Sequence, residues 1–149
     1  MQVWSSKQQY RAGEKIEVFI RGNRDFYARI VDITANGDIV QLLPNEYRGS
    51  SRFRQGEVYK VPDTGDQFDL TVGPPYGKDT IVVYASEVPL GQVAMNKIGQ
   101  GLMAYGGDRK TLGFSTRGIS VTAKKDVVHS QSSQIAEFYE AEYQITTSP

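Results

Sequence analysis

The first half of the chain is a series of short segments in which apolar and polar side chains alternate. Ile16, Val18 and Ile20 alternate with Glu17 and Phe19, the pattern of a strand that buries one face in a core. Turn residues separate this segment from similar ones. The alternation predicts an all-β domain with strands at 16–20, 26–33, 39–43, 58–61, 68–72 and 80–85.

One turn and one strand segment carry additional information. Asn36 and Gly37 stand between two apolar runs, which predicts a β-hairpin closed by a two-residue type I′ turn with positive φ at both positions. Residues 80–85 form a continuous Ile, Val and Tyr run. Such a run is typical of a central strand covered on both faces.

The pattern changes after Ser86. Residues 87–108 are rich in glycine around a weak helical spacing of apolar residues, Ala94, Ile98, Leu102 and Tyr105, which predicts a fraying helix or an ordered loop. Residues 116–123 are predicted to form a strand. For 136–146 a strand is favoured over a helix, because a strand places four apolar residues on one face: Tyr139, Ala141, Tyr143 and Ile145.

Seven or eight short strands predict an immunoglobulin-like β-sandwich with a short helical or loop insertion after Ser86, and a small barrel is the alternative. The 149 residues suit one domain. We expect a core at 3–87, an insertion at 88–111 and completing strands at 112–147.

Charge and composition restrict the partners. Seventeen basic and seventeen acidic residues cancel, so no overall field attracts nucleic acid, and we expect none as a partner. No apolar run approaches the ~20 residues of a membrane helix, so direct membrane insertion is not expected. The absence of cysteine excludes disulfides and leaves the compartment open. Oligomeric state is open too.

The sequence contains two weak metal or phosphate motifs. Residues 73–79 read Gly-Pro-Pro-Tyr-Gly-Lys-Asp, which is one residue too short for a P-loop and lacks its Ser or Thr. Asp63, Asp66 and Asp69 surround Gly65, but Asp and Gly are also what an ordinary turn requires. We predict no metal and no cofactor.

Catalytic signals are equally weak. His129 lies in a polar stretch without a nucleophile elbow, which favours an exposed loop residue. Glu137, Glu140 and Glu142 are typical of a solvated strand face. We predict no catalytic residues and no enzymatic activity.

Residues 46–57, here called the arginine loop, form the candidate partner-binding site. The loop is polar and contains three cations and two aromatic rings: Tyr47, Arg48, Arg52, Phe53 and Arg54. Such a mixture stacks on sugars or bases and pairs with phosphates or carboxylates. The alternative is a solvated loop whose aromatic rings pack on the sheet.

The motifs of the first half resemble those of a bacterial family of unknown function. The family's members carry a Gly-Glu opening, an Asp-x-Tyr strand, a Leu-x-Pro-Asn strand end and a Val-Pro or Ile-Pro. The matching residues here are Gly13-Glu14, Asp25-Phe26-Tyr27, Leu42-Leu43-Pro44-Asn45 and Val61-Pro62. The chain departs from the family at 73–78, where the family usually has a simpler Pro-x-Gly connection.

The resemblance implies an accessory module. Such domains occur in envelope proteins and lipoproteins, and beside caspase-like peptidase or protein kinase domains. We therefore expect a non-catalytic module of the bacterial cell envelope that binds a protein partner or an envelope polymer. The alternatives are a carbohydrate-binding module and a carboxylate-dependent hydrolase. The resemblance implies an extracytoplasmic location, and a native start at Met1 would instead indicate the cytoplasm.

Overall fold

The protein is a β-sandwich of two sheets. The computed structural model describes residues 1–49, 52–99, 101–116 and 138–149. Within these residues, three strands form a small sheet and eight form a main sheet. The predicted all-β sandwich is confirmed.

The main sheet has the order β2-β11-β8-β4-β5-β10-β9, and β6 pairs with β4 beside this path. All pairs are antiparallel except the parallel pair of β2 and β11. The strands are β2 Gln9–Arg11, β4 Phe26–Ile33, β5 Ile39–Leu43, β6 Arg52–Phe53, β8 Gly77–Ser86, β9 Asn96–Gly99, β10 Leu102–Tyr105 and β11 Phe138–Ser148.

The small sheet has the order β1-β3-β7 and covers one face of the main sheet. Its strands are β1 Gln2–Ser5, β3 Val18–Arg21 and β7 Tyr59–Val61. Val18 and Ile20 share one buried cluster with Ile30 of β4 and Val83 of β8. The face of the main sheet that turns toward this cluster is called the inner face below.

Strand β8 is buried on both faces, as its continuous apolar run predicts. Ile81 and Val83 belong to the inner cluster. Val82 and Tyr84 point to the opposite face and pack with Leu112, which belongs to the helix α1, Arg109–Thr116. Burial on both sides explains why this strand does not alternate apolar and polar residues.

The prediction of a strand near the C-terminus is confirmed. Strand β11 pairs with β8 over ten residue pairs. Tyr139, Tyr143 and Ile145 lie in or against the inner cluster, while Glu140 points to the other face and binds Arg109 of α1. The period of two therefore separates the apolar and charged sides of this strand as expected.

The hairpin between β4 and β5 forms where it was predicted, but with a different turn. Gly37 has φ of +87°. The amide of Gly37 donates to the carbonyl of Thr34, and Thr34 N–H donates to Asp38 O, both at 2.8 Å. The predicted two-residue turn is therefore wrong: the loop has three residues, which is the turn that ends in a left-handed glycine bulge.

Residues 68–72 do not form the predicted strand. They pair irregularly with 13–16: Ile16 N–H donates to Leu70 O at 2.7 Å, and Val72 N–H donates to Glu14 O at 2.9 Å. The segment lies over the inner face, where Leu70 and Val72 are buried. The apolar pattern of this segment therefore reflects burial rather than a regular strand. A glycine and two prolines follow it, and proline does not support regular strand pairing.

The segment after Ser86 also differs from expectation. Strands β9 and β10 pair with each other in place of the predicted fraying helix or ordered loop, and they extend the main sheet beyond β5. The helix α1 follows them and covers the outer face. Within the described residues, no helix is long and apolar enough to cross a membrane. The predicted strand at 116–123 falls almost entirely outside the described residues.

Candidate functional site

Two aspartates meet on the inner face of the main sheet. Asp32 on β4 lies opposite Ile81 of β8, so Asp79, two residues earlier in β8, is its diagonal neighbour. The side chain of Asp32 forms a hydrogen bond with that of Asp79, and Asp79 is only 6% exposed. We call these two residues the acid pair.

The acid pair has unused hydrogen-bonding capacity. The Oδ1 atoms of Asp32 and Asp79 are buried and have no partner within the described chain. The same holds for Oγ1 of Thr34, which lines the same cleft. Buried polar atoms without partners cost stability, so a group that donates hydrogen bonds to these three oxygens would stabilise the protein.

The environment favours a neutral Asp32. Burial raises the pKa of Asp32 well above its usual range, and the hydrogen bond and the charge of Asp79 raise this pKa further. Two carboxylates in contact cannot both ionise easily. At neutral pH Asp32 therefore keeps its proton.

The acid pair opens into a cleft of about 410 Å³, here called the acidic cleft. The cleft lies between the inner face of the main sheet and residues 69–75. Its walls combine polar groups with apolar side chains, which include Ile16, Val40, Leu42, Leu70, Ile81 and Leu102. Asp69 also lines the cleft, but its carboxylate pairs with Lys15 at 3.2 Å.

This geometry restricts the chemistry of the acidic cleft. Glycoside hydrolysis needs carboxyl groups about 5 to 9.5 Å apart, whereas Asp32 and Asp79 are hydrogen-bonded to each other. Among the described residues, no group of three acidic, histidine or cysteine side chains is close enough to hold a metal ion. The site suits a ligand that brings hydrogen-bond donors and an apolar body.

The arginine loop is split between the interior and the surface. Phe53 is 1% exposed, and Arg48 lies over its ring at 5.6 Å. The guanidinium of Arg48 also pairs with Asp66 at 3.0 Å and with Asp63 at 3.7 Å. These four residues form the base of the loop, and two of the three aspartates grouped near Gly65 therefore pair with Arg48.

The other three predicted site residues remain at the surface. Tyr47 is 56% exposed and stacks on Phe68 with 6.3 Å between ring centroids. Arg52 forms a loose pair with Asp25 at 3.5 Å. Arg54 is exposed, and its side chain has no ion pair within the described part of the chain. The predicted partner-binding role of the five residues stays a prediction.

Two of the three C-terminal glutamates that the sequence offered as carboxylates lie in the described residues. Glu140 and Glu142 both bind Arg109, at 2.5 and 2.8 Å. Burial opposes the charge of Arg109, but these hydrogen bonds raise its pKa above the usual range. His129 and Glu137 lie outside the described residues.

Sequence reasoning missed the acid pair. A signal was present, because Asp32 shares its face of β4 with Ile30 and Ala28, both buried, and a charged residue on an apolar face is unusual. The partner of Asp32 lies 47 positions away in the sequence. Only the pairing of β4 with β8 brings the two carboxyl groups together.

One of three comparisons with known proteins gives a match. A family model matches residues 9–89, which run from β2 to just beyond β8. The search of curated proteins found no match, and the search of solved structures found none either. The matched segment covers more than half of the 149 residues and contains both members of the acid pair. The chain therefore belongs to the family described as Domain of unknown function (DUF4384).

Proposed function

We propose that this protein is a non-catalytic accessory module of the bacterial cell envelope that binds an anionic protein partner or envelope polymer through the arginine loop. The observation that carries this proposal is the exposure of Tyr47, Arg52 and Arg54 above a packed base. The envelope location rests on the motif resemblance, because domains of the family that these motifs resemble occur in envelope proteins and lipoproteins.

The base of the loop supports binding because it limits the entropy cost of association. Phe53 stacks on Phe26 with 5.2 Å between centroids and meets Tyr59 edge-on at 4.8 Å. The hydroxyl of Tyr59 accepts a hydrogen bond from Arg54 N–H at 2.9 Å. A surface held in this way loses little further freedom when it binds.

The exposed groups of the loop suit an anionic partner. Arginine donates two parallel hydrogen bonds to a carboxylate or phosphate, which lysine does not reproduce. Tyr47 adds apolar area with a polar tip. Arg48 takes no part in this surface, because it already neutralises Asp66.

A carbohydrate-binding module is the second candidate. Carbohydrate platforms use two or three coplanar exposed rings. Within the described residues, Tyr47 is the one strongly exposed aromatic side chain, and the rings of Trp4 and Phe19 stack on each other at 5.7 Å. We therefore prefer an anionic partner to a neutral sugar. A carboxylate-dependent glycosidase has less support, because the acid pair is too close for that reaction.

The test is a binding measurement with charge-matched variants. We expect Arg52→Ser/Arg54→Ser to reduce sedimentation with a bacterial cell-envelope fraction at moderate salt. Arg11→Ser/Arg21→Ser removes the same charge from exposed positions elsewhere and should leave binding unchanged. Protease treatment of the fraction separates a protein partner from a polymer.

Two results would contradict the proposal. One is equal binding by both double variants and the wild type, with circular dichroism showing an intact fold. The other is an equal loss in both double variants, which would indicate general electrostatic attraction rather than a site.

A further inference from the structure

The acidic cleft offers three acceptors without partners: Oδ1 of Asp32, Oδ1 of Asp79 and Oγ1 of Thr34. All three residues line the cleft. Thr34 directly follows β4, two positions after Asp32. Asp79 is hydrogen-bonded to Asp32. The three oxygens therefore belong to one group of residues in the wall of the cleft.

We propose that the acidic cleft binds a primary alkylammonium group, with its nitrogen held by Asp32, Asp79 and Thr34 and its alkyl chain against the apolar walls. An ammonium group has three donors and no acceptor. This matches the three vacant acceptors in number and in polarity. A neutral donor such as an alcohol has one proton to donate and leaves two acceptors unpaired.

The walls of the cleft fit the alkyl part of such a ligand. Leu42 and Ile81 extend from the sheet, and Leu70 closes the cleft from the covering segment. A volume of about 410 Å³ lies in the range of small-molecule sites. Apolar side chains together with a few polar groups are the usual composition of such sites.

Charge also favours a cation over a neutral ligand. The titratable groups that line the cleft are Asp32, Asp79 and Asp69. Lys15 neutralises Asp69 at 3.2 Å, while no basic side chain lines the cleft among the described residues. An incoming ammonium group therefore meets the acid pair, which no basic side chain of the cleft lining neutralises.

Binding has a defined proton balance. The ligand enters as R-NH₃⁺ and keeps its three protons. The proton held by Asp32 leaves to solvent, and the oxygens of the acid pair then accept from the ammonium. About one proton is released for each ligand bound at neutral pH, and affinity increases as pH rises from 6 to 8.

The site is separate from the arginine loop, so this proposal does not depend on the proposed function. The primary probe is hexylammonium chloride, titrated into the full chain and followed by amide NMR shifts and calorimetry. Hexanol is the neutral control of equal length, and calcium chloride tests a metal ion. A lysine-containing peptide, compared with its acetyl-lysine form, tests whether a polypeptide presents the ammonium.

Four variants test the residues. Asp32→Asn and Asp79→Asn keep the side-chain size and should each weaken hexylammonium binding about tenfold or more. Thr34→Val should weaken it by about threefold to tenfold. Asp69→Asn is the matched control, because it removes a carboxylate from the same cleft, and it should change affinity less than about twofold. Calorimetry in two buffers should show release of about one proton in the wild type and less in Asp32→Asn.

The proposal is supported by saturable binding of hexylammonium or of the lysine peptide with this variant pattern. The probe that binds more tightly shows whether a free amine or a polypeptide supplies the ammonium group. Four results would overturn the proposal: no saturation by either ammonium probe, equal binding of hexanol, shifts at the acid pair with calcium alone, or equal losses in Asp69→Asn and Asp32→Asn. If Asp79→Asn does not fold, Asp32→Asn and Thr34→Val carry the test.

Discussion

The guanidinium of Arg29 donates a hydrogen bond from Nε to Oγ1 of Thr116 at 3.0 Å, which joins β4 to the end of α1 across 87 residues. The same guanidinium donates to Gln41 Oε1 and to the carbonyl of Gly91 at 2.8 Å. Arg29 is 5% exposed, and burial lowers its pKa to about 10. Within the described residues, a buried cation is therefore satisfied by neutral oxygens and holds the outer layer against the sheet.

This arrangement predicts that lysine cannot replace Arg29. Lysine keeps the charge but lacks the planar fork that reaches three acceptors. We expect Arg29→Lys to lower the free energy of unfolding by about 1 to 3 kcal/mol, measured by urea denaturation. Arg21→Lys at an exposed position is the control and should be neutral. Equal stability of both variants would mean that the Arg29 contacts contribute nothing.

The acid pair predicts an unusual pH dependence. The pKa of Asp32 is raised in the native state, so the native state holds a proton that the unfolded state loses above pH ~4. The stabilising contribution is complete below that pH and is lost as pH rises toward the native pKa, with a slope of at most about 1.4 kcal/mol per pH unit.

Asp32→Asn should remove this slope, because asparagine does not ionise and can still donate to Asp79. We expect the variant to unfold at a higher temperature than the wild type at pH 8, and the difference to shrink toward pH 4. Asp69→Asn is the control. A wild type that becomes more stable relative to Asp32→Asn as pH rises would contradict the raised pKa.

Val82 provides a test of the doubly covered strand. It is fully buried and packs with Tyr84 and Leu112 on the outer face. Val82→Asp would bury an unpaired charge at a cost of several kcal/mol, so we expect no folded protein by circular dichroism. Val58→Asp, at a position 55% exposed, should fold normally. Soluble Val82→Asp with the wild-type melting temperature would refute the burial of this strand.

The β4–β5 hairpin gives a backbone prediction. Gly37 has φ of +87°, and a Cβ there would meet no atom within 4 Å, so any cost comes from conformation rather than from a clash. Gly37→Val should destabilise by about 1 to 3 kcal/mol, since a β-branched residue rarely adopts positive φ. Gly106→Val, also in open space and without positive φ, should cost less in the same denaturation experiment. An equal loss of stability in Gly37→Val and Gly106→Val would argue against a positive φ at Gly37.

The sequence alone determined the strands whose faces differ in polarity. Period-two alternation identified β4, β5 and β11, and the apolar run identified β8, because strand geometry imposes this period wherever one face is buried. The positive φ at Gly37 also followed from local chemistry. The same reasoning failed after Ser86, where strands β9 and β10 replace the predicted helix or loop because β5 offers an open edge for pairing.

The tertiary structure decided how distant residues combine. In the arginine loop, the sequence identified a cationic and aromatic segment, but only the fold paired Arg48 with Asp66 and left Tyr47, Arg52 and Arg54 outside. The acid pair shows the same limit more strongly. Asp32 and Asp79 come from strands that pair over a long sequence separation, so their contact, the raised pKa of Asp32 and the cleft beside them depend on sheet register, which no local pattern specifies.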